Sequence, residues 1–241
     1  MFVSILTISI VLWIGSTDAY ELTQPEQIHL AYGVGPTEMV VTWVTMDSTP
    51  ETTVEFGQSP TGLNTITQGY ATRFTDGGSE KRVMYIHRVV LKGLKPDEQY
   101  FYHCGSDSGG WSSVYWFKAM KEGNTWSPHL ALIGDLGNVN GVSLPFLQKA
   151  VAKGKYDAVL HIGDFAYDMD SDNARVGDEF MRQMEPITAY LPYMTVVGNH
   201  EGAYNFSNYE NRFTMYDHTS RQINNHFYSY NVGPIHFIVF S

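Results

Sequence analysis

Three short polar motifs, each directly after an apolar run, constrain the fold of this chain most strongly. They are GDLG at residues 134–137, GDFAYD at 163–168 and GNHE at 198–201. Each apolar run has the length of a buried strand, so each motif places oxygen or imidazole groups just beyond a strand's C-terminal end. Open α/β sheets bind ligands at that edge. The sequence therefore predicts one site where the three motifs meet.

The segments around these motifs alternate between strand and helix patterns. Strands are predicted at residues 129–133, 157–162 and 193–197, and helices at 143–153 and 173–191. This alternation is typical of crossover connections and a parallel sheet. Pro186 is expected to kink or break the second helix. A hairpin is predicted from residues 226–230 and 235–240 around the turn at 231–234.

Residues 24–120 have a different pattern, typical of an all-β sandwich. Short β-branched and aromatic segments alternate with turns rich in Gly, Pro, Asp and Ser. Trp43 is expected in the core, and residues 94–100 resemble a corner found in fibronectin type III domains. No catalytic group of residues stands out in this part, so a structural or spacer role is the default interpretation.

The N-terminal sequence predicts that the protein is secreted. The apolar run at residues 2–14 is too short for a membrane span and fits a signal peptide over residues 1–19, cut after Ala19. A buried strand is the alternative. We expect a secreted or lysosomal protein without a membrane anchor, with Asn205 in a glycosylation sequon. Cys104 is the only cysteine; we expect a buried free thiol, with pairing outside these residues as the alternative.

The composition narrows the classes of partner. The net charge of −10 argues against nucleic acid and anionic membranes, which require basic patches. An apolar fraction of 43% and an aromatic fraction of 14% allow packed cores and argue against disorder. Any anionic substrate would have to be bound locally, through metal ions.

Each motif also has a simpler interpretation. Asp135 and Asn199 could be turn residues, and Asp168 is expected to cap the next segment rather than bind a metal. Tyr167 is more specific. A phenolate ligand requires a strong Lewis acid, because free tyrosine has a pKa near 10, and this favours ferric iron over magnesium or calcium.

Taken together, the motifs resemble those of the metallophosphoesterases. The tyrosine variant with a preceding GDLG resembles the purple acid phosphatases, and residues 164–201 resemble the animal type 7 branch of that family. The resemblance implies a fibronectin III-like sandwich at residues 24–120, followed over residues 128–241 by the N-terminal part of an α/β metallophosphoesterase domain. It also implies hydrolysis of phosphate monoesters at a two-metal centre.

The resemblance further implies a role for individual residues. Asp135 and Tyr167 would bind a ferric ion, and the tyrosinate would give a purple colour. Asp164 would bridge both metals, and Asn199 would bind the divalent ion, which is iron, zinc or manganese in the family. His200 would contact the phosphate or assist the leaving alkoxide.

The sequence also departs from the family. Family members take further ligands from Val-x-x-His and Gly-His-x-His segments, and neither pattern occurs here. With residue 241 directly after an apolar strand, we expect a truncated chain that binds metals weakly and has little activity. The alternatives are a non-catalytic secreted binding or regulatory fragment, and another metallophosphoesterase such as a nucleotidase or phosphodiesterase. A homo-oligomer is left open.

Overall fold

A computed structural model describes residues 22–241, and the predicted signal peptide lies outside them. The first part is built from two antiparallel sheets, one with the strand order β1-β2-β6-β5 and the other β4-β3-β7-β8, with β9 beside β7. The strands are β1 Glu26–Tyr32, β2 Met39–Thr45, β3 Thr53–Gly57, β4 Thr65–Gln68, β5 Tyr70–Thr75, β6 Val83–Leu91, β7 Gln99–Ser106, β8 Gly110–Trp111 and β9 Tyr115–Lys118.

The interior of this sandwich is apolar and aromatic. Trp43 is 1% exposed, which confirms its predicted core position. Its ring stacks on that of His87, with the ring centroids 4.9 Å apart. Cys104 is a buried free thiol, which confirms the first of the two sequence interpretations, and burial raises the pKa of its thiol well above the usual range. Strand β1 is buried on both faces, and the buried residues include the polar Gln27 and His29.

The second part confirms the predicted parallel sheet, whose order is β10-β11-β12. Leu130 pairs with Ala158, and Val159 pairs with Tyr193. An antiparallel hairpin follows, as expected. The elements are β10 Leu130–Ile133, α1 Leu144–Ala152, β11 Ala158–Ile162, α2 Arg175–Thr188, β12 Tyr193–Val196, a 3₁₀ turn Asn199–Glu201, α3 Ala203–Arg212, β13 Phe227–Val232 and β14 Ile235–Phe240.

Helix α2 continues through Pro186 and ends at Thr188, so the predicted break at the proline is wrong. A proline removes one hydrogen bond of the helix. Here it falls in the last turn, where the end of the helix is fixed by tertiary contacts instead. Thr188 Oγ1 donates to the carbonyl of Ile28 on β1 at 3.0 Å.

One hydrophobic core extends through both parts of the chain. Strand β1 packs against α2, and Leu30 forms an isolated parallel bridge with Pro192. Tyr102 from β7 donates its hydroxyl to the carbonyl of Ala189, just after α2, at 2.7 Å. The sandwich and the parallel sheet are therefore packed as one body at this junction.

A buried carboxylate, Asp178 on α2, lies at the same junction. Its side chain is 2% exposed and accepts hydrogen bonds from Arg212 at 2.8 Å and from Arg82 at 2.7 Å. Burial raises the pKa of Asp178, but the charges and hydrogen bonds of the two arginines outweigh this effect and hold the pKa below the ordinary 3.8. The cluster joins the sandwich, α2 and α3 electrostatically.

Exposed apolar side chains lie on the parallel sheet and on the hairpin that follows it. Leu132 and Ile162 are 64% and 55% exposed, and Ile238 and Phe240 on β14 are 63% and 69% exposed. A cavity of about 330 Å³, lined mainly by apolar side chains, lies between the parallel sheet and the hairpin. Among residues 22–241, no helix is both long and apolar enough to cross a membrane.

Replacing Asp178 tests the contribution of the buried ion cluster. Asp178→Asn leaves Arg212 buried without its carboxylate, and breaking a buried pair costs about 3–5 kcal/mol. We expect the free energy of unfolding in urea at pH 7 to fall by that amount. Because the pKa of Asp178 is lowered in the folded protein, its contribution is lost as the pH falls below about 4, and the two proteins should then converge. Lys118→Met, which removes an exposed pair with Asp97, should change stability far less; an equal loss would refute this assignment.

Candidate functional site

The structure brings the three sequence motifs together at the C-terminal edge of β10, β11 and β12. At this edge the chain turns sharply, since Asp135 and Asp164 adopt left-handed φ angles of 53° and 51°. Aspartate tolerates this region better than most residues. Gly198 allows a close approach between loops, because a Cβ there would lie 2.1 Å from Asp164 Oδ1.

Two of the predicted ligands are in direct contact. The hydroxyl of Tyr167 donates to Asp135 Oδ1 at 2.9 Å, although the residues are 32 positions apart. This hydrogen bond raises the pKa of Tyr167, and partial burial and nearby carboxylates add to the effect. The phenol is therefore neutral in the metal-free chain, and a cation bound to both oxygens would have to displace its proton.

The second and third motifs are also linked. The backbone N–H of His200 donates to Asp164 Oδ1 at 3.2 Å. Asn199 begins the 3₁₀ turn beside this contact and is exposed. Because Asp164 follows β11, the middle strand of the sheet, it lies between the loop of Asp135 and the loop that carries Asn199 and His200.

His200 is oriented by a carboxylate that the sequence did not assign to it. Its Nδ1 lies 2.9 Å from Asp168 Oδ1, and its ring centroid lies 4.6 Å from that of Tyr167. The hydrogen bond to Asp168 raises the pKa of His200 above 6.5. The expectation that Asp168 caps the next segment is wrong: α2 begins after Ala174 and has no side-chain cap.

Glu201 is the residue whose role the sequence analysis missed. Its side chain is almost completely buried, at 3% exposure, and accepts three backbone hydrogen bonds. The donors are the N–H groups of Gly198 at 2.7 Å, Asp164 at 2.9 Å and Phe165 at 3.0 Å. One carboxylate thus fastens the loop of Asp164 to the loop of Asn199 and His200. The motif GNHE contained the residue, but only the tertiary structure identifies its partners.

The donor chemistry of the site suits hard cations. Carboxylate, phenol and amide oxygens are the groups that such ions prefer, and the contact between Tyr167 and Asp135 places two of them at one point. Residues 22–241 contain no group of three or more His, Cys, Asp or Glu side chains arranged to hold a metal ion. A metal at this edge would therefore depend on Tyr167 and Asn199 as well as on the aspartates.

A cavity lies beside the site. A cavity of about 530 Å³ is bordered by Asp135, Tyr167 and residues 136–140 of the first loop. His161, by contrast, is a core residue: it is fully buried, and burial lowers its pKa to about 3. Asn205, the predicted glycosylation residue, is exposed and lies just after the site, on α3.

Two family models match adjacent parts of the chain. Residues 25–119 match the purple acid phosphatase N-terminal domain, and residues 128–239 match the calcineurin-like phosphoesterase model. "Acid phosphatase type 7" from Homo sapiens is 51% identical over 218 residues, covering 90% of this chain and 48% of that protein. The Danio rerio protein of the same name is 49% identical over 227 residues, covering 91% and 48%.

The fold comparison agrees with the sequence comparisons. The purple acid phosphatase PPD1 from yellow lupin seeds superposes with a TM-score of 0.71 at 26% identity, covering 89% of this chain and 44% of that chain. The chain thus spans about half the length of the curated relatives it matches.

Glu201→Gln tests whether this carboxylate holds the two loops together. An amide replaces one acceptor oxygen with an NH₂ group, and hydrogen bonds to charged groups contribute about 1.5–3 kcal/mol. We expect amide hydrogen exchange at Gly198, Asp164 and Phe165 to accelerate at least about tenfold. Glu98→Gln, which removes the same charge at an exposed position, should leave the exchange of these amides unaffected. Unchanged protection in the Glu201 variant would show that the loops are held by other contacts.

Asp168→Asn tests the cause of the raised pKa of His200. The ring should titrate above pH 6.5 in the metal-free chain and closer to that value in the variant, because the charged acceptor is lost. The measurement is an NMR titration of the His200 ring protons. Asp172→Asn, at an exposed neighbour, is the control. An unchanged titration in Asp168→Asn would contradict the contact.

Proposed function

Because the chain belongs to the purple acid phosphatase family, a family of binuclear metal enzymes, we propose that this site serves the hydrolysis of phosphate monoesters. The proposed metals are a ferric ion and a divalent ion, which is iron, zinc or manganese. The contact between Tyr167 and Asp135 carries the proposal. It joins the phenol and the carboxylate proposed for the ferric ion, and a tyrosine ligand favours ferric iron over the ions of other phosphoesterases.

Four side chains would hold the two ions. Asp135 and Tyr167 would bind the ferric ion, Asp164 would bridge, and Asn199 would bind the divalent ion. The arrangement of the loops supports this assignment, since Asp164 lies between the other ligands and is bonded to the backbone of His200. When bound, two cations supply Lewis acidity and lower the pKa of water, so that hydrolysis proceeds in acid.

His200 is the proposed catalytic residue from this chain. Asp168 Oδ1 lies 2.9 Å from Nδ1 of the imidazole and holds that side of the ring, so Nε2 is the ring nitrogen available to a substrate. In its protonated form the ring can donate to a phosphate oxygen or to the departing alkoxide. The Asp168 contact, which raises the pKa of His200, favours that form in acid. Asp168 thus acts as a positioning residue for His200.

The proposal includes a place of action. A secreted or lysosomal phosphatase with a glycan on Asn205 is consistent with the exposed position of that residue. The substrate is expected to be a phosphate monoester that reaches the cavity beside Asp135 and Tyr167. The net charge of −10 offers such an anion no long-range attraction, so its binding would depend on the metals.

The test uses a chain extended to the length of its relatives and loaded with ferric iron and zinc, because residues 1–241 alone are expected to bind metals weakly. We expect a visible absorption band from the tyrosinate and turnover of a phosphate monoester at acid pH. Tyr167→Phe should remove the band, because the phenolate is lost, whereas Tyr70→Phe at an exposed tyrosine of the sandwich should keep it. Asp164→Ala should remove both metals, and His200→Ala should keep the metals and lose turnover.

Metal content by elemental analysis separates these outcomes. A band that survives Tyr167→Phe would contradict the ferric assignment. Normal turnover in Asp164→Ala would contradict the two-metal assignment as a whole. Full activity of His200→Ala would contradict the catalytic role of His200 but not the assignment of the metal ligands.

A further inference from the structure

Two short segments next to the candidate site have an unusual backbone. Asp172, Asn173 and Ala174 have φ angles of 50°, 54° and 65°, and Tyr204, Asn205 and Phe206 have φ angles of 50°, 58° and 60°. Three consecutive non-glycine residues in the left-handed region are unfavourable. Such segments persist only when their surroundings hold them. The first segment follows the Tyr167–Asp168 loop, and the second follows the Asn199–Glu201 turn.

A single loop of the sandwich contacts both segments. It connects β5 to β6 and comprises residues 76–82, here called the 76–82 loop. Its contacts with the first segment are polar and centre on Asn173. The N–H of Glu80 donates to Asn173 Oδ1 at 3.0 Å, and Arg82 Nη1 donates to the carbonyl of Asn173 at 2.8 Å. Both the side chain and the backbone of the middle residue are therefore held.

The contacts with the second segment are a steric contact at Tyr204 and a buried hydrogen bond one turn later. The ring of Tyr204 lies directly on the backbone of Gly77, where a Cβ would come within 2.1 Å of the ring. One turn further along α3, Asn208 Nδ2 donates to Asp76 Oδ1 at 3.1 Å, and both residues are buried, at 3% and 1% exposure. The segment is thus held at its start and at the following turn.

The 76–82 loop is itself well fixed. The N–H of Gly78 donates to Asp76 Oδ2 at 2.8 Å, and the N–H of Asp76 donates to the carbonyl of Arg82 at 2.8 Å. Arg82 also reaches the buried carboxylate of Asp178. The loop can therefore act as a rigid support rather than as a flexible cover.

We propose that the 76–82 loop is a positioning element for the candidate site. By holding the two left-handed segments, it fixes the ends of both loops that carry Tyr167, Asp168, Asn199 and His200. The sandwich would then contribute to the site without supplying a metal ligand. The consequence for catalysis rests on the proposed function, but the positioning itself does not.

The test is amide hydrogen exchange by mass spectrometry on the full metal-free chain. Gly77→Ala places a methyl group against Tyr204, and its backbone is not left-handed, so the change is purely steric. We expect exchange in residues 198–206 to accelerate about tenfold, with the sandwich strands unchanged. Gly35→Ala is the matched control, because no atom lies within 4 Å of its added Cβ.

A second pair of variants keeps the test decisive if Gly77→Ala does not fold. Asn173→Gly removes the side-chain oxygen that accepts from the N–H of Glu80, leaves Arg82 and Asp178 untouched, and keeps a residue that tolerates the left-handed backbone. It should accelerate exchange about tenfold in residues 163–174. Asn64→Gly, at an exposed asparagine of the sandwich, should not. Unchanged exchange in both loops would overturn the proposal, as would an equal acceleration across the whole chain.

The same variants distinguish this proposal from the proposed function. In the extended chain used to test the proposed function, iron loaded into Gly77→Ala or Asn173→Gly should give a shifted or weakened visible band if the loop positions Tyr167. If the unmodified extended chain gives no band but the exchange results are as expected, the proposed function fails and the positioning role stands.

Discussion

The buried charge of Asp178 organises the junction on which the site is built. A carboxylate removed from water is costly unless partners offset the loss, and Asp178 finds them on separate parts of the chain. Arg212 comes from α3, Arg82 from the end of the 76–82 loop, and Gln27 of β1 donates at 3.3 Å. These contacts are geometrically demanding. They therefore fix not only that the sandwich packs against the α/β part but also in which orientation.

The site itself is held by a different kind of interaction, between carboxylates and backbone amides. Glu201 accepts three N–H groups from two loops, and Asp164 accepts one from His200. Backbone donors cannot move away as side chains can, so the loops are fixed before any ligand is present. Several negative charges are then gathered at one sheet edge, where cations would lower their mutual repulsion.

The sequence predicted the parts of the fold that depend on local pattern. The apolar runs before Asp135, Asp164 and Asn199 are strands, and the parallel order follows from their alternation with helices. It did not locate β1, β4, β5 or β8. The buried polar residues of β1, for example, find their partners only in the tertiary structure. The predicted break of α2 at Pro186 was wrong: the helix runs through the proline to Thr188, whose side chain donates to the carbonyl of Ile28 on β1.

Local sequence patterns also could not predict the long-range contacts of the candidate site and of the 76–82 loop. Asp168 was expected to be a cap because caps are common among aspartates, whereas its partner is 32 residues away. The contacts of the 76–82 loop connect residues about 90 to 130 positions apart, a separation that no local pattern reveals. During synthesis, chains emerge N-terminus first and domains fold as units. The ribosome therefore releases the 76–82 loop before the segments that it holds, so the support can be complete when they arrive.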